Sequence, residues 1–285
     1  FGIYYRSWIN EKYCNVDPRT LGVLRIVLGT LLTADSIRHW KEARYFYSNS
    51  GLITNHFLLF KPFSNSNFTL FNAFSSLGEV HVLFAISTLC YFLLLIGYRT
   101  RLFSILSFVL VTSLDNRLVL AENGGYVVVN LLAAWTTFMP LGRRFSVDAL
   151  LRSYREHKEK GWQDLNQRFR PADKIELHWS SIYLLATVNL AIVYLFNVVN
   201  KSGQIWKTGL TVHYVLHLDR MVTGVAVFFR ELLPLWLMRG ISWTVLSVEA
   251  LICVWILSPY GRRYTRLLAM FFMHALHGLF GLMFR

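Results

Sequence analysis

Residues 77–97 read LGEVHVLFAISTLCYFLLLIG, a stretch whose only formal charge is Glu79. Because a helix needs about 20 mostly apolar residues to cross the hydrocarbon core of a bilayer, this stretch predicts a transmembrane helix. Six further runs approach the same length and apolarity, at residues 21–40, 102–118, 124–141, 177–199, 240–257 and 264–284. We therefore expect an all-α fold, a transmembrane helical bundle of about seven spans that forms a single domain over residues 1–285.

The composition supports a membrane protein. Hydrophobic residues make up 54% of the chain and charged residues 16%, whereas soluble domains contain about 25% charged residues. The net charge of +13 would suggest a nucleic-acid partner in a soluble protein. Here the basic residues lie in short segments between apolar runs, as in cytoplasmic loops, so we expect contact with membrane lipid and no nucleic acid.

The distribution of basic residues predicts the orientation. Segments on the side of the N-terminus contain 17 Lys and Arg residues, and those on the other side contain 9. Since cytoplasmic loops are enriched in Lys and Arg, residues 1–20 are predicted to face the cytoplasm. The chain opens at Phe1 rather than at a methionine, and we expect further sequence beyond its ends.

Two connections are predicted to lie at the membrane surface. On the cytoplasmic side, residues 142–176 begin with an amphipathic helix, for which Ser146 is a candidate N-cap and Gly161 a candidate stop. On the outer side, residues 200–239 form an interfacial segment.

One part of this outer segment, residues 222–238, is itself apolar. It is interrupted by Arg230, Glu231 and Pro234, which favours an interfacial or re-entrant segment over an eighth span.

The candidates for functional charges inside or beside the predicted spans are Arg25, Asp35, Asp115, Glu122 and Glu249. A charge within a bilayer is costly and usually faces a polar cavity. Both a structural ion pair and a ligand cavity would explain these residues. Arg25 and Asp35 are about 15 Å apart along one helix, so they require different partners.

Histidine pairs at helical spacing invite a metal or haem hypothesis. His213 and His217 are spaced i, i+4, and His274 and His277 are spaced i, i+3. None has a carboxylate beside it at ligand spacing, which favours packing or hydrogen bonding, and we expect no metal. The three cysteines show neither a disulfide framework nor a metal knuckle.

Lys201 follows directly on an apolar run, with Trp206 and Lys207 close behind it. A partly desolvated lysine loses its charge more easily and can act as a base. Alternatively, Lys201 and Lys207 only extend their ammonium groups to the outer interface.

Four motifs together resemble a known family. They are DPRTLGVLRIVLGTLLTAD at 17–35, ENGGYVVVNLLAAWTTFMPLGRRFSVDALL at 122–151, NKSGQIWKTGLTVHYVL at 200–216 and FFMHALHGLFGLMF at 271–284. In this order they resemble the horizontally transferred transmembrane (HTTM) family, which includes vitamin K-dependent gamma-glutamyl carboxylase. The resemblance runs from about Asp17 to Arg285.

The resemblance implies a membrane bundle in which a lysine deprotonates a hydroquinone. Lys201 falls on that position and is the implied catalytic base. Arg25, Asp35 and Glu249 fall on charged positions that the carboxylase also carries, and His274 matches one of its histidines. We expect a cavity or ligand site formed by Arg25, Asp35, Asn123, Tyr126, Trp206, Glu249 and His274. The implied cofactor or ligand is a quinone or a bound lipid, and the implied location is a bacterial inner membrane.

This chain also departs from the carboxylase. Asn123 is followed by Gly124, where the carboxylase has an assisting histidine, and Tyr126 replaces an acidic residue of many bacterial relatives. Nor does the sequence to Arg285 contain the soluble lumenal domain of the carboxylase. We therefore weigh an enzyme, or the remnant of one, against a non-catalytic subunit that packs with other membrane protein subunits. Transport is a third hypothesis, which neither a repeat nor a broken-helix pair supports.

Overall fold

The computed structural model describes residues 10–55, 69–118, 124–160, 178–179 and 181–284. These ranges are helical apart from connections and one short ribbon, which confirms the all-α class. The α-helices are α1 (Pro18–Lys41), α2 (Ala43–Phe46), α3 (Leu77–Ile96), α4 (Thr100–Arg117), α5 (Gly124–Thr136), α6 (Val147–Lys160), α7 (Ser181–Asn200), α8 (Gln204–Lys207), α9 (Thr211–Leu216), α10 (Gly224–Leu232), α11 (Leu235–Leu257) and α12 (Arg262–Met283). The remaining elements are a π-helical turn (Asn10–Cys14), a 3-10 turn (Leu70–Ala73) and the antiparallel strands β1 (Asn15–Val16) and β2 (His178–Trp179).

Five of these helices are long and apolar enough to cross a membrane, namely α1, α3, α7, α11 and α12. The other two predicted spans correspond to α4 and α5. Helix α4 carries Arg101, Asp115 and Arg117 within 18 residues, and α5 is 13 residues long. Among the described residues, five of the seven predicted spans are therefore candidate membrane-spanning helices by length and composition.

Local chemistry sets several helix boundaries. At the start of α1 the Asp17 carboxylate accepts a hydrogen bond from the Arg19 main-chain N–H at 2.8 Å. The predicted N-cap of α6 is confirmed, because Ser146 Oγ accepts from the Ala149 N–H at 3.0 Å. Its predicted stop, Gly161, lies outside the described residues.

The predicted interruption of residues 222–238 is also confirmed. Helix α10 ends at Leu232 and α11 begins at Leu235, directly after Pro234. Proline has no N–H to donate within a helix but is compatible with a helix start. As a result α11 begins five residues before the predicted span at 240–257.

The chain divides into two compact units, Phe1–Tyr183 and Leu184–Arg285. In the first unit α1 packs along α3, and α4 packs against both α3 and α5. Gly29 permits the close approach of α1 and α3, since a Cβ there would lie 2.7 Å from the Leu95 Cα. In the second unit α11 packs against α9 and α12. A core of Ala191, Tyr194, Ile252, Ile256 and Ala269 joins α7 to α11 and α12.

The turn between α3 and α4 depends on Gly97, which has a φ of +74°. Left-handed backbone costs an L-residue about 1 to 2 kcal/mol. A Cβ at Gly97 would also lie 2.5 Å from the Ser146 Cβ and 2.6 Å from the Arg25 Nη1. Two independent penalties therefore oppose any side chain at this position.

We expect Gly97→Ala to lower the free energy of unfolding by about 2 to 4 kcal/mol, as the sum of backbone strain and overpacking. SDS unfolding in mixed micelles, followed by tryptophan fluorescence, would measure this change. Gly261→Ala is the matched control, because Gly261 has a φ of +56° but nothing within 4 Å of an added Cβ. Equal losses in the two variants would contradict the steric part of the argument.

Candidate functional site

The candidate site in the second unit begins with polar residues on one face of α7. Tyr194, Asn197 and Lys201 are spaced i, i+3 and i+7 in an otherwise apolar segment, and Lys201 directly follows the last residue of α7. This spacing places them along one side of the helix axis. The polar stripe faces α11, where Glu249 lies midway along the helix.

Glu249 is 2% exposed, and its two carboxylate oxygens have different partners. Lys201 Nζ donates to Oε2, and Asn197 Nδ2 donates to Oε1 at 3.3 Å. A buried carboxylate is tolerated when it is paired and its oxygens accept hydrogen bonds. The structure therefore supplies the partner of Glu249 that the sequence left open, and that partner is the predicted base.

Lys201 is the more accessible member of this pair. Its side chain is 18% exposed, against 3% for that of Glu249. The Lys201 Nζ also lies 5.0 Å from the centre of the Trp206 ring, within cation–π range. A molecule that reached the pair would thus meet Lys201 and the indole first and the carboxylate behind them.

His274, which the resemblance implied for the same site, has a local contact instead. Its ring is exposed, and its Nδ1 bonds to the Met270 carbonyl one turn earlier in α12, at 2.7 Å. It is His277 that contacts the polar face of α7, through a 3.0 Å hydrogen bond between its Nε2 and the Tyr194 hydroxyl. In the other predicted pair, His213 and His217, the ring centres lie 4.4 Å apart and the ring planes are tilted by 46°.

A second polar cluster lies in the first unit, around Asp35 on α1. Arg38 Nη2 donates to Asp35 Oδ1 at 2.8 Å and also to the Tyr126 hydroxyl of α5. The same nitrogen lies 2.7 Å from His39 Nε2, which is in turn 3.5 Å from Asp35 Oδ2. Two residues of the predicted site, Asp35 and Tyr126, are therefore joined through Arg38.

The buried His39 ring has polar partners at both nitrogens. Its Nε2 lies 2.7 Å from Arg38 Nη2 and 3.3 Å from the Tyr126 hydroxyl, and its Nδ1 lies 2.8 Å from the Tyr47 hydroxyl. Burial raises the pKa of Tyr47, which keeps this hydroxyl protonated.

Arg25 is fully buried in the first unit and binds main-chain carbonyls. Its Nη1 donates to the carbonyls of Leu94, at 2.9 Å, and Leu95, and its Nη2 donates to that of Phe145. Leu94 and Leu95 lie in the last turn of α3, where the Leu94 carbonyl also accepts from the Gly97 N–H at 3.0 Å and a carbonyl such as that of Leu95 has no donor further along the helix. The guanidinium thus satisfies the end of one helix and ties it to the segment before α6.

The remaining predicted residues are divided between described and undescribed parts of the chain. Asp115 on α4 accepts a hydrogen bond from Asn130 of α5 at 2.7 Å. Asn123 and Glu122 lie outside the described residues. Within the described ranges, no three His, Cys, Asp or Glu side chains come together in a way that could hold a metal ion.

Sequence reasoning missed Asn197, His39 and Tyr47. Asn197 was detectable, because an amide at helical spacing between Tyr194 and Lys201 stands out in an apolar run. His39 was detectable from its i+4 spacing to Asp35. Tyr47 gave no such signal, since only the packing brings its hydroxyl to His39.

Comparison with known proteins gave no relative for this chain: no family model, curated protein or solved structure matches it.

Proposed function

We propose that this chain is an HTTM-type protein of a bacterial inner membrane, with seven spans and a cytoplasmic N-terminus. Its five long apolar helices support membrane insertion. Helices α4 and α5 complete the seven, since they continue the packing of α3 within the first unit. The segments on the side of the N-terminus contain 17 Lys and Arg residues, against 9 on the other side, which supports a cytoplasmic N-terminus.

Within this framework, the second unit carries a proton-transfer site for a quinone-like or lipid-like molecule. The observation that carries this proposal is the contact of Lys201 with the buried Glu249 carboxylate. The amine and the carboxylate are in direct hydrogen-bonded contact, so a proton can pass between them without an intervening water. The pair can therefore accept a proton from a bound hydroxyl.

The transfer balances without any further reactant. The hydroxyl proton of the bound molecule passes to Lys201 Nζ, while Nζ passes one of its own protons to Glu249 Oε2. The products are an oxyanion, a lysine that remains an ammonium, and a neutral glutamic acid. The ammonium then stabilises the oxyanion, and Asn197 keeps the carboxyl group oriented through its other oxygen.

Trp206 favours a flat or apolar ligand. Its ring already lies against the Lys201 ammonium. An aromatic surface beside a base provides stacking area and excludes water from the reacting hydroxyl. Both effects suit a quinol ring better than a polar metabolite.

A non-catalytic subunit is the second candidate function. In α7 and α12 only 11% of the apolar span is buried within the chain. These helices leave long apolar faces for lipid or for the helices of another membrane protein subunit. The two functions differ in what the protein should retain on purification.

The test is purification in mild detergent, followed by mass spectrometry of extracted small molecules and of co-purifying proteins. We expect the wild-type chain to retain a quinone or lipid at a stoichiometry that falls about tenfold in Lys201→Met, the loss of one charged hydrogen bond. Lys207→Met is the matched control, because it removes the same charge from an exposed residue six positions away. Stoichiometric partner proteins without a bound small molecule would instead establish the subunit function.

A further inference from the structure

Two neighbouring cavities open at the end of the first unit where α3 turns into α4. The larger has a volume of about 460 Å³, and its wall includes Thr100, Arg101, Gly142, Arg143 and Arg152. The smaller has a volume of about 400 Å³ and is bounded by Tyr98, Arg99, Leu151, Arg152 and Arg155. Asp148 and Arg152 line both cavities, so the two are halves of one basic surface, which we call the arginine surface.

The charge of the arginine surface is not neutralised by its one acid. Asp148 Oδ1 accepts from the Arg99 N–H at 2.8 Å, and its Oδ2 accepts from the Thr100 N–H at 2.7 Å and the Thr100 hydroxyl at 2.6 Å. This carboxylate is therefore used as the N-terminal cap of α4. Among the described residues, no hydrogen bond or ion pair joins this carboxylate to a guanidinium group of the arginine surface.

Three arginines of the arginine surface are open to an anionic ligand. In the part of the chain that the structure describes, Arg101, Arg143 and Arg152 form no ion pair with any carboxylate. Each of the three is exposed. All three arginines line the larger cavity, and guanidinium forks match the oxygens of a phosphate group.

Large apolar side chains flank the same cavities. Phe138 lines the larger cavity and is 69% exposed, and Leu151 of α6 lines the smaller cavity and is 37% exposed. Arginines beside exposed aromatic and aliphatic side chains are typical of a surface at the boundary of headgroups and acyl chains.

We propose that the arginine surface binds the phosphate headgroup of an anionic membrane phospholipid, with the acyl chains against the exposed apolar side chains. Free phosphate would use the same guanidinium groups, but it would gain nothing from Phe138 and Leu151. Arg152 is the central residue of the site, since it lines both cavities. The proposal is independent of any chemistry at Lys201, which lies in the other unit.

Native mass spectrometry of the full chain, released from nanodiscs of phosphatidylcholine mixed with phosphatidylglycerol, tests this site. We expect selective retention of phosphatidylglycerol by the wild type and about a tenfold weaker retention by Arg152→Gln, which removes one charge-assisted contact. Lys158→Gln is the matched control, because it removes one exposed positive charge from the same helix, away from both cavities. Circular dichroism would verify that both variants keep their helices.

Each other outcome would overturn the proposal in a distinct way. Equal losses in Arg152→Gln and Lys158→Gln would indicate diffuse surface charge and no site. Displacement of phosphatidylglycerol by inorganic phosphate, at equal strength, would indicate a free-phosphate site. Equal retention of phosphatidylcholine and phosphatidylglycerol would show that the arginines do not select an anionic headgroup.

Discussion

Glu249→Leu is expected to lower the free energy of unfolding by about 3 to 5 kcal/mol, because it leaves the Lys201 ammonium beside an apolar core without its partner. The carboxylate is almost fully buried and accepts from both Lys201 and Asn197. Since the Lys201 side chain is 18% exposed, we expect a loss near the lower end of this range. SDS unfolding in mixed micelles, monitored by tryptophan fluorescence, would measure it.

The double variant Lys201→Met with Glu249→Leu separates stability from chemistry. Replacing both members of a buried ion pair by apolar residues of similar volume is often neutral or stabilising. We therefore expect the double variant to recover most of the stability lost in Glu249→Leu. It should still fail to retain the quinone-like or lipid-like molecule, because the proton-accepting pair is gone.

This cycle also tests the pairing itself. If Glu249→Leu and Lys201→Met had additive effects in the double variant, the two side chains would not interact in the folded protein. Additivity would contradict the structure, and the proton-transfer proposal would fail with it. A stable double variant with full ligand retention would contradict the proposal alone.

Arg25→Met is expected to lower the free energy of unfolding by about 3 to 5 kcal/mol, as Glu249→Leu does, but for a different reason. The variant would remove the guanidinium donor from the partly buried carbonyls of Leu95 and Phe145, whereas the Leu94 carbonyl would keep the Gly97 N–H at 3.0 Å. Each unsatisfied buried polar group costs about 1 to 3 kcal/mol. The lost guanidinium also removes a positive charge from the C-terminus of α3, where the helix dipole favours one.

Two further variants make this second prediction specific. Arg25→Lys keeps the charge but has no planar fork, so we expect it to recover only part of the loss. Arg19→Met lies on the same helix and removes an exposed arginine paired with Asp17, which should leave the stability nearly unchanged. A loss in Arg19→Met as large as that in Arg25→Met would contradict the role of the buried carbonyls.

Arg25 and Glu249 thus have different roles, although the sequence singled out both because each is a charged residue within a predicted span. Arg25 serves the turn between α3 and α4, together with Asp148, which caps the N-terminus of α4. Each of these side chains complements the dipole at one end of a helix. Glu249 instead holds a lysine, and only this second arrangement places a proton donor and a proton acceptor together.

The cluster around Asp35 combines contacts that are local in the sequence with one that depends on helix packing. Arg38 and His39 lie three and four residues after Asp35, so all three share a face of α1. This pairing was predictable from the i, i+3 and i, i+4 spacing of the three residues along α1. The link to Tyr126 was not predictable, because it requires α5 to lie beside the end of α1.

Properties that depend on neighbours along the chain could be predicted from the sequence. Apolar length predicted seven membrane-type helices, five of which are long enough to be candidate spans, and local chemistry predicted the N-cap of α6 at Ser146 and the break at Pro234. The partner that satisfies each buried charge depends on the tertiary fold. Lys201 and Glu249 are 48 residues apart, and Arg25 binds carbonyls 69 to 120 residues away. Such distant groups meet only when helices pack, and helix packing depends on the shapes of whole faces rather than on any local pattern.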